Sequence, residues 1–302
     1  MGLFRRSAAA AEIVVSPAVV VPRQTVQATI TTQAPIDDVR TATIDWGYTN
    51  FYRYHWAGRL DSAGNASDDL LMLGNVGTNY GGDRNADEWV SVIKQDLPLA
   101  TGEFTGTTAQ FKIPSWAPAS SEEIARWSCR LTLDRGGRDV DAHADFTVVV
   151  RPEDVDAGPE PVEQVDGAGE TLIEISVPSV AFRAGEPIRG QITLRPTKDL
   201  PNGDLAVSWQ RHRESHPLTR RPSETGPIDG PIVHLGKGIP LRAGSPITVP
   251  FEVVLPVDAA PTAAAVHSSM SWFVAARLFY AGFTSHTTER VRHPIVVVNG
   301  VG

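Results

Sequence analysis

Asp139, Asp141, His143 and Asp145 recur at every second residue. On a strand that spacing puts all four on one face. Carboxylates beside an imidazole are the donor set of a metal site. Same-face neighbours on a strand lie about 7 Å apart, too far for one ion to engage the whole row. The alternate positions Val140, Ala142, Ala144, Phe146 and Val148 are apolar, so the row equally reads as the solvated side of a half-buried strand.

Asp83, Asn85 and Asp87 match the first half of an EF-hand loop. Glu88 stands where the turn glycine belongs and Lys94 where the closing glutamate belongs, so an EF-hand is excluded. A looser calcium site drawing on Asp61, Asp68 or Asp69 defines one alternative function: a calcium- or glycan-binding module using the Asp61–Asp87 loop and nearby aromatics. His267-Ser268 has the letters of a nucleophile and its base. Adjacent strand residues point to opposite faces, so the pair makes no such hydrogen bond unaided. The chain has no G-x-S-x-G, H-E-x-x-H, P-loop, G-x-G-x-x-G or C-x-x-C motif. The expectation is a protein that is not an enzyme and has no cofactor, no catalytic residue and no metal ligand. The single cysteine, Cys129, reads as a buried, inert thiol.

Binding candidates are of a different type. Between Tyr48 and Trp56 aromatics stand at every second position except Asn50, with Arg53 and His55 between them. The aromatics read as sandwich core, which leaves Arg53 and His55 on the opposite face as partner-binding candidates. Arg211, Arg213, Arg220 and Arg221, interspersed with His212 and His216, form the densest basic cluster. It would attract an acidic partner segment or, transiently, an anionic membrane surface. Its plainer reading is the positive face of a domain.

Short Val/Ile/Thr-rich runs separated by 23 prolines and 26 glycines favour strands over helices. Strands are expected at Ile13–Val21, Thr25–Thr32, Val39–Trp56, Trp89–Lys94, Gly106–Ile113, Trp127–Leu133 and Asp139–Val150. Gly47 is expected to mark a bulge. The segment Leu60–Glu88 reads as irregular, Ser120–Ala125 as one helical turn capped by Ser121, and Gly136-Gly137 as a hairpin turn with positive φ. Residues 1–11 read as a disordered lead-in, residues 12–151 as one domain and 170–302 as another. Residues 152–169 read as an acidic Pro/Gly linker. Net charge is −8 overall: −5 in residues 1–150, −6 in 151–170 and +3 in 171–302. Nothing in that balance suggests nucleic-acid binding. With no apolar run of membrane-spanning length and no signal peptide, the expected location is the cytoplasm.

The second half echoes the first. Pro178–Ile192, PSVAFRAGEPIRGQI, parallels Pro17–Ile30, and HPIVVVNG at the end parallels DFTVVVRP. Ala109–Leu133 and Val249–Tyr280 each run from an F-x-aliphatic strand through Ile-Pro or Leu-Pro to a Trp-led strand. Each half has about seven strands, the count of an immunoglobulin-like sandwich. The fold class expected is all-β, two tandem immunoglobulin-like β-sandwich domains. GEPIRGQITL, then PFEVVLP, a Pro-Thr turn and SMSWFVAARLFY resemble the C-terminal domain of arrestin-like proteins. FKIPSWAPASS and RWSCRLTL resemble the N-terminal domain more loosely. The paired lysines of animal arrestins are missing from Ile13–Val21, and there is no Pro-Pro-x-Tyr motif. The chain is more similar to the bacterial arrestin-like group that includes the sporulation-control proteins. That resemblance implies a cytoplasmic adaptor or regulatory protein with a protein partner.

Overall fold

The computed structural model describes residues 11–56, 82–155, 162–223, 226–281 and 288–299. The protein is all-β. Alternating burial along the strands, such as BeBeBe over Thr171–Ser176, is the period-two signature of sheets with one face in a core. The chain forms two compact units. The first is Met1–Val149 together with Glu214–Glu224 and Ala264–Ser268; the second is Val150–Arg213, Thr225–Ala263 and Ser269–Gly302.

The described strands of the first stretch are β1 (Ala11–Ser16), β2 (Val19–Val20), β3 (Thr25–Ile36), β4 (Val39–Trp56), β5 (Gly82–Asp96), β6 (Phe104–Lys112), β7 (Ala125–Arg135) and β8 (Val140–Val148). They make a three-stranded sheet, β1-β3-β6, and a five-stranded sheet, β2-β8-β7-β4-β5. Trp46, Phe111, Trp127 and Phe146 join the two sheets. Trp46 stacks on Phe111 at 5.4 Å, and Phe111 lies 6.3 Å from Trp127. Gly47 is a bulge, as expected: the pairing of β4 with β5 shifts register between Trp46 and Gly47. The residue is glycine because a Cβ there would collide with the Val90 carbonyl.

The remaining strands are β9 (Gln164–Asp166), β10 (Thr171–Ser176), β11 (Ala181–Arg183), β12 (Pro187–Pro196), β13 (Leu200–Ser215), β14 (Ile228–Asp229), β15 (Val233–Leu241), β16 (Ile247–Val254), β17 (Ala263–Ala264), β18 (Ser268–Tyr280) and β19 (Thr288–Val298). They form a three-stranded sheet, β10-β12-β16, and a larger sheet with the path β11-β19-β18-β13-β14. Strand β15 also pairs with β13, β17 with β18 and β9 with β19.

The same devices occur in both units. Short parallel strands close the larger sheets, β2 on β8 and β11 on β19. A buried tryptophan clamps the preceding Pro-containing loop. Trp127 Nε1 donates to Pro118 O at 2.8 Å, and Trp272 Nε1 donates to Ala260 O at 2.9 Å. Hydroxyls bridge the same loops to the last strands. Val148 N–H donates to Ser120 Oγ and Val297 N–H to Thr262 Oγ1, both at 2.9 Å.

Four local expectations are corrected. Gly82–Glu88 is not irregular but the start of β5, because it pairs residue by residue with the distal half of the 18-residue β4. Pairing overrides the poor strand propensity of Asp and Asn. Ser120–Ala125 is not a helical turn. Ser121 Oγ does accept the Ile124 N–H at 3.1 Å, but the turn is closed by an antiparallel bridge, Ser121 N–H donating to Ala125 O at 2.9 Å, and leads into β7. Gly136 and Gly137 do not adopt positive φ. The connection from Arg135 to Val140 is longer than a two-residue hairpin and needs no left-handed residue. The segment read as a linker contains β9, which pairs with β19 at Arg290–Arg292.

Candidate functional site

Strand β4 pairs with β5 along its distal half but with β7 only as far as Asn50 opposite Ala125. Beyond that point its second edge needs other acceptors. Phe51 N–H donates to Ile124 O at 2.9 Å and His55 N–H to Arg221 O at 2.9 Å. Between them Arg53 N–H donates to Ser215 Oγ at 3.0 Å, and Tyr54 bridges to Pro222. All these residues belong to the first unit.

Asn50 is fully buried in the aromatic row of β4, and it ties three segments together. Its Nδ2 donates to Ile124 O and to Ser268 Oγ, both at 2.8 Å, and its Oδ1 accepts the His267 N–H at 2.6 Å. Ser268 Oγ in turn donates to Phe51 O at 2.7 Å. His267 Nε2 lies 3.3 Å from Glu88 Oε2, and its ring packs 5.1 Å from Tyr52. The Ser268 hydroxyl is therefore engaged with Asn50 and Phe51, and the imidazole of His267 with a carboxylate.

Asp83 is the second hub. Its carboxylate accepts the Ser223 hydroxyl, lies 3.3 Å from His55 Nδ1 and 3.8 Å from Arg53 Nη2. The Ser223 hydrogen bond, with help from His55 and Arg53, holds the carboxyl below the usual carboxylate range. Arginines cover the aromatic faces nearby: Arg84 over Trp56 at 4.0 Å, Arg220 over Tyr54 at 4.4 Å and Arg130 over Trp89 at 3.7 Å. Each of those rings thus carries a guanidinium over one face.

The partner-binding candidates divide. Arg53, His55, Arg220 and Arg221 meet at the distal end of β4. Arg211 and Arg213 belong to the second unit, half-buried on β13. Of the carboxylates in the alternative calcium reading, Asp61, Asp68 and Asp69 lie outside the described residues. Asp83, Asn85 and Asp87 are strand residues of β5. Among the described residues no group of three or more His, Cys, Asp or Glu side chains is placed to hold a metal ion.

The Asp139–Asp145 row lies on the exposed side of β8, opposite Phe146 and Val148 in the core. Its surroundings are more telling than its composition. β2 covers only Thr147 and Val148 on one edge of β8, so Val140–Phe146 has no strand partner on that side among the described residues. Thr147 and Val149 donate their N–H groups toward β2, to Ala18 O and Val20 O, both at 2.8 Å. By strand alternation the amides of Asp141, His143 and Asp145 face the same open side. β1 ends the neighbouring sheet and lies beside β8 without pairing to it. A groove of about 690 Å³ runs between them, lined by Ala11, Glu12, Ile13, Asp141 and His143 among others. A second, of about 530 Å³, runs along the outer faces of β7 and β8 past Arg126, Arg130, Asp141 and Asp145.

In the second unit, buried Glu289 accepts the N–H groups of Gly169 and Glu170 at 3.1 and 2.9 Å. Burial pushes the neighbouring Tyr280 hydroxyl up to about 12. Arg277 stands directly across from Arg290 and bonds Asp229 at 2.7 Å. Burial pushes the Asp229 carboxyl up, but bonds from Arg277 and Gln210, with the nearby Arg290 charge, outweigh it and hold it below its ordinary value. Cys129 is fully buried, and desolvation raises its thiol to about 12.

Sequence reasoning missed the two hubs. Asn50 was visible as the one amide in a row of core aromatics. Its partners at Ile124, His267 and Ser268 carry no local signal. Ser215 and Ser223 are ordinary serines until the fold brings them to β4. Among the described residues no helix is long and apolar enough to cross a membrane. Compared with known protein families, the chain matches no family model, and no curated protein matches it by sequence.

Proposed function

We propose that this protein is a non-enzymatic, cytoplasmic adaptor of the arrestin-like kind, which holds an extended segment of a partner protein by strand addition along β8. The observation that carries this reading is the edge at Val140–Phe146, which has no strand partner among the described residues, with the amides of Asp141, His143 and Asp145 facing it. An edge of unpaired N–H and C=O groups is a template for another strand. Glu12 and Asp141 give the groove between β1 and β8 an acidic rim without a lysine or arginine, so the favoured segment is basic. The net charge of −8 acts in the same direction and disfavours nucleic acid. The commitment of Ser268 and His267 to structural partners supports the non-enzymatic part. The unpaired, buried Cys129 fits a reducing compartment. The sequence resemblance supplies the word adaptor.

The test is selection of random extended peptides on the immobilised full-length protein. Enrichment of Lys/Arg-bearing, β-forming peptides, with binding lost in Asp141→Lys/Asp145→Lys and weakened by salt, is the expected result. Selected peptides that bind the lysine variant equally well, or no selection at all, overturn the reading.

A further inference from the structure

The segment Glu214–Ser223, whose first two residues end β13, takes the place of a strand on the distal edge of β4, where Pro222 makes a single bridge to Tyr54. β5, on the other edge, pairs with β4 from Thr43 to Trp56. Glu214–Ser223 supplies one backbone acceptor, Arg221 O to His55 N–H, and one side-chain acceptor, Ser215 Oγ to Arg53 N–H. Its other described attachments are polar or cationic. Ser223 bonds Asp83, Arg220 lies over Tyr54, and His216 N–H donates to His267 O at 2.9 Å. Only Ser215 and Ser223 are buried, at 8% and 6% exposure, whereas Leu218 is 78% exposed. The segment therefore buries no large apolar side chain. Hydrophobic burial is the main force that couples an element to the cooperative core. Among the described residues it is held by hydrogen bonds, including His216 Nε2 to Ala265 O at 3.2 Å, by the Pro222–Tyr54 bridge and by a cation–π contact, and not by apolar burial.

We propose that Glu214–Ser223 is a displaceable latch: it stands in for a strand, is anchored through Ser215 and Ser223, and opens without unfolding the sandwich. Opening uncovers the amides of Arg53 and His55 on a strand whose other edge remains paired. An edge in that state accepts an extended peptide by backbone hydrogen bonding. The latch thus controls a second strand-addition edge, separate from that of β8 and resting on different residues.

The experiment is hydrogen exchange of the full-length protein, wild type against Ser215→Ala/Ser223→Ala, with trypsin cleavage after Arg220 as a second readout. In the variant, the amides of Arg53 and His55 and the peptide covering 214–223 exchange ~10-fold faster and Arg220 is cut ~10-fold faster. Residues 42–49 of β4 and the thermal midpoint stay at their wild-type values. If the variant does not fold, the wild type decides alone. Low concentrations of urea speed exchange in 42–49 but leave the amides of Arg53 and His55 nearly unchanged, the signature of a local opening that exposes little surface. Equal urea dependence of the two halves of β4, or variant exchange that rises in both alike, shows that the segment is an integral part of the core and overturns the proposal.

Discussion

Replacing Asn50 by alanine tests the buried hub quantitatively. Four hydrogen bonds are lost, to Ile124 O, Ser268 Oγ, the His267 N–H and, at 3.4 Å, Phe51 O. Three of the partners keep another bond. Ile124 O still accepts from Phe51 N–H, and Ser268 Oγ still donates to Phe51 O. The His267 N–H loses its acceptor inside the protein. A net hydrogen bond contributes about 1 kcal/mol, and a buried donor left without an acceptor costs about 1–3 kcal/mol. The expected loss is therefore about 3–4 kcal/mol, which lowers the midpoint of the first unit by about 10 °C. The assay is urea unfolding followed by tryptophan fluorescence, since Trp46 and Trp127 are buried in that unit. Asn50→Asp keeps an acceptor for His267 but turns a carboxylate oxygen toward Ile124 O. Its stability relative to wild type should improve as pH falls and the new carboxyl is protonated, because burial raises its pKa in the folded state. In the Asn50→Ala/Ser268→Ala cycle the pair should show a coupling of about 1 kcal/mol. A loss below about 1 kcal/mol for Asn50→Ala, or no coupling to Ser268, refutes the hub.

Three further outcomes follow from the geometry. Trp127→Phe and Trp272→Phe each remove one indole-to-carbonyl bond to a clamped loop; each should destabilise its own unit by about 1–3 kcal/mol, read by chemical unfolding. Cys129, fully buried with its thiol raised to about 12, should resist Ellman's reagent in the folded protein and react at once in denaturant. Asp229 has a depressed folded-state pKa, so its contribution is present above the unfolded value near pH 4 and lost as pH falls through the folded one. Asp229→Asn should lower stability at neutral pH and flatten the acid limb of the stability–pH curve, measured by thermal midpoints.

Most of the sheet framework was legible because burial alternates at the period of the strand. The core row Trp127, Cys129, Leu131, Leu133 and the bulge at Gly47 both follow from letters alone. What was not legible depended on pairing across long sequence separations. Gly82–Glu88 reads as a loop because Asp, Asn and Gly disfavour strands, yet β4 imposes the strand. The open edge of β8 is likewise invisible in sequence, since it is defined by how little of the strand β2 covers. Asp139–Asp145 was correctly legible as a solvated face; that its amides border a groove came only from topology. Of the arginine cluster, Arg220 and Arg221 fall in the first unit and Arg211 and Arg213 in the second.

The most direct test of strand addition on β8 is the backbone amide behaviour of Asp141, His143 and Asp145 when a selected basic peptide is bound. Strand addition predicts slowed exchange at these three amides and intermolecular contacts between peptide backbone and β8. Peptide binding that leaves the three amides unprotected and protects another surface instead would contradict it.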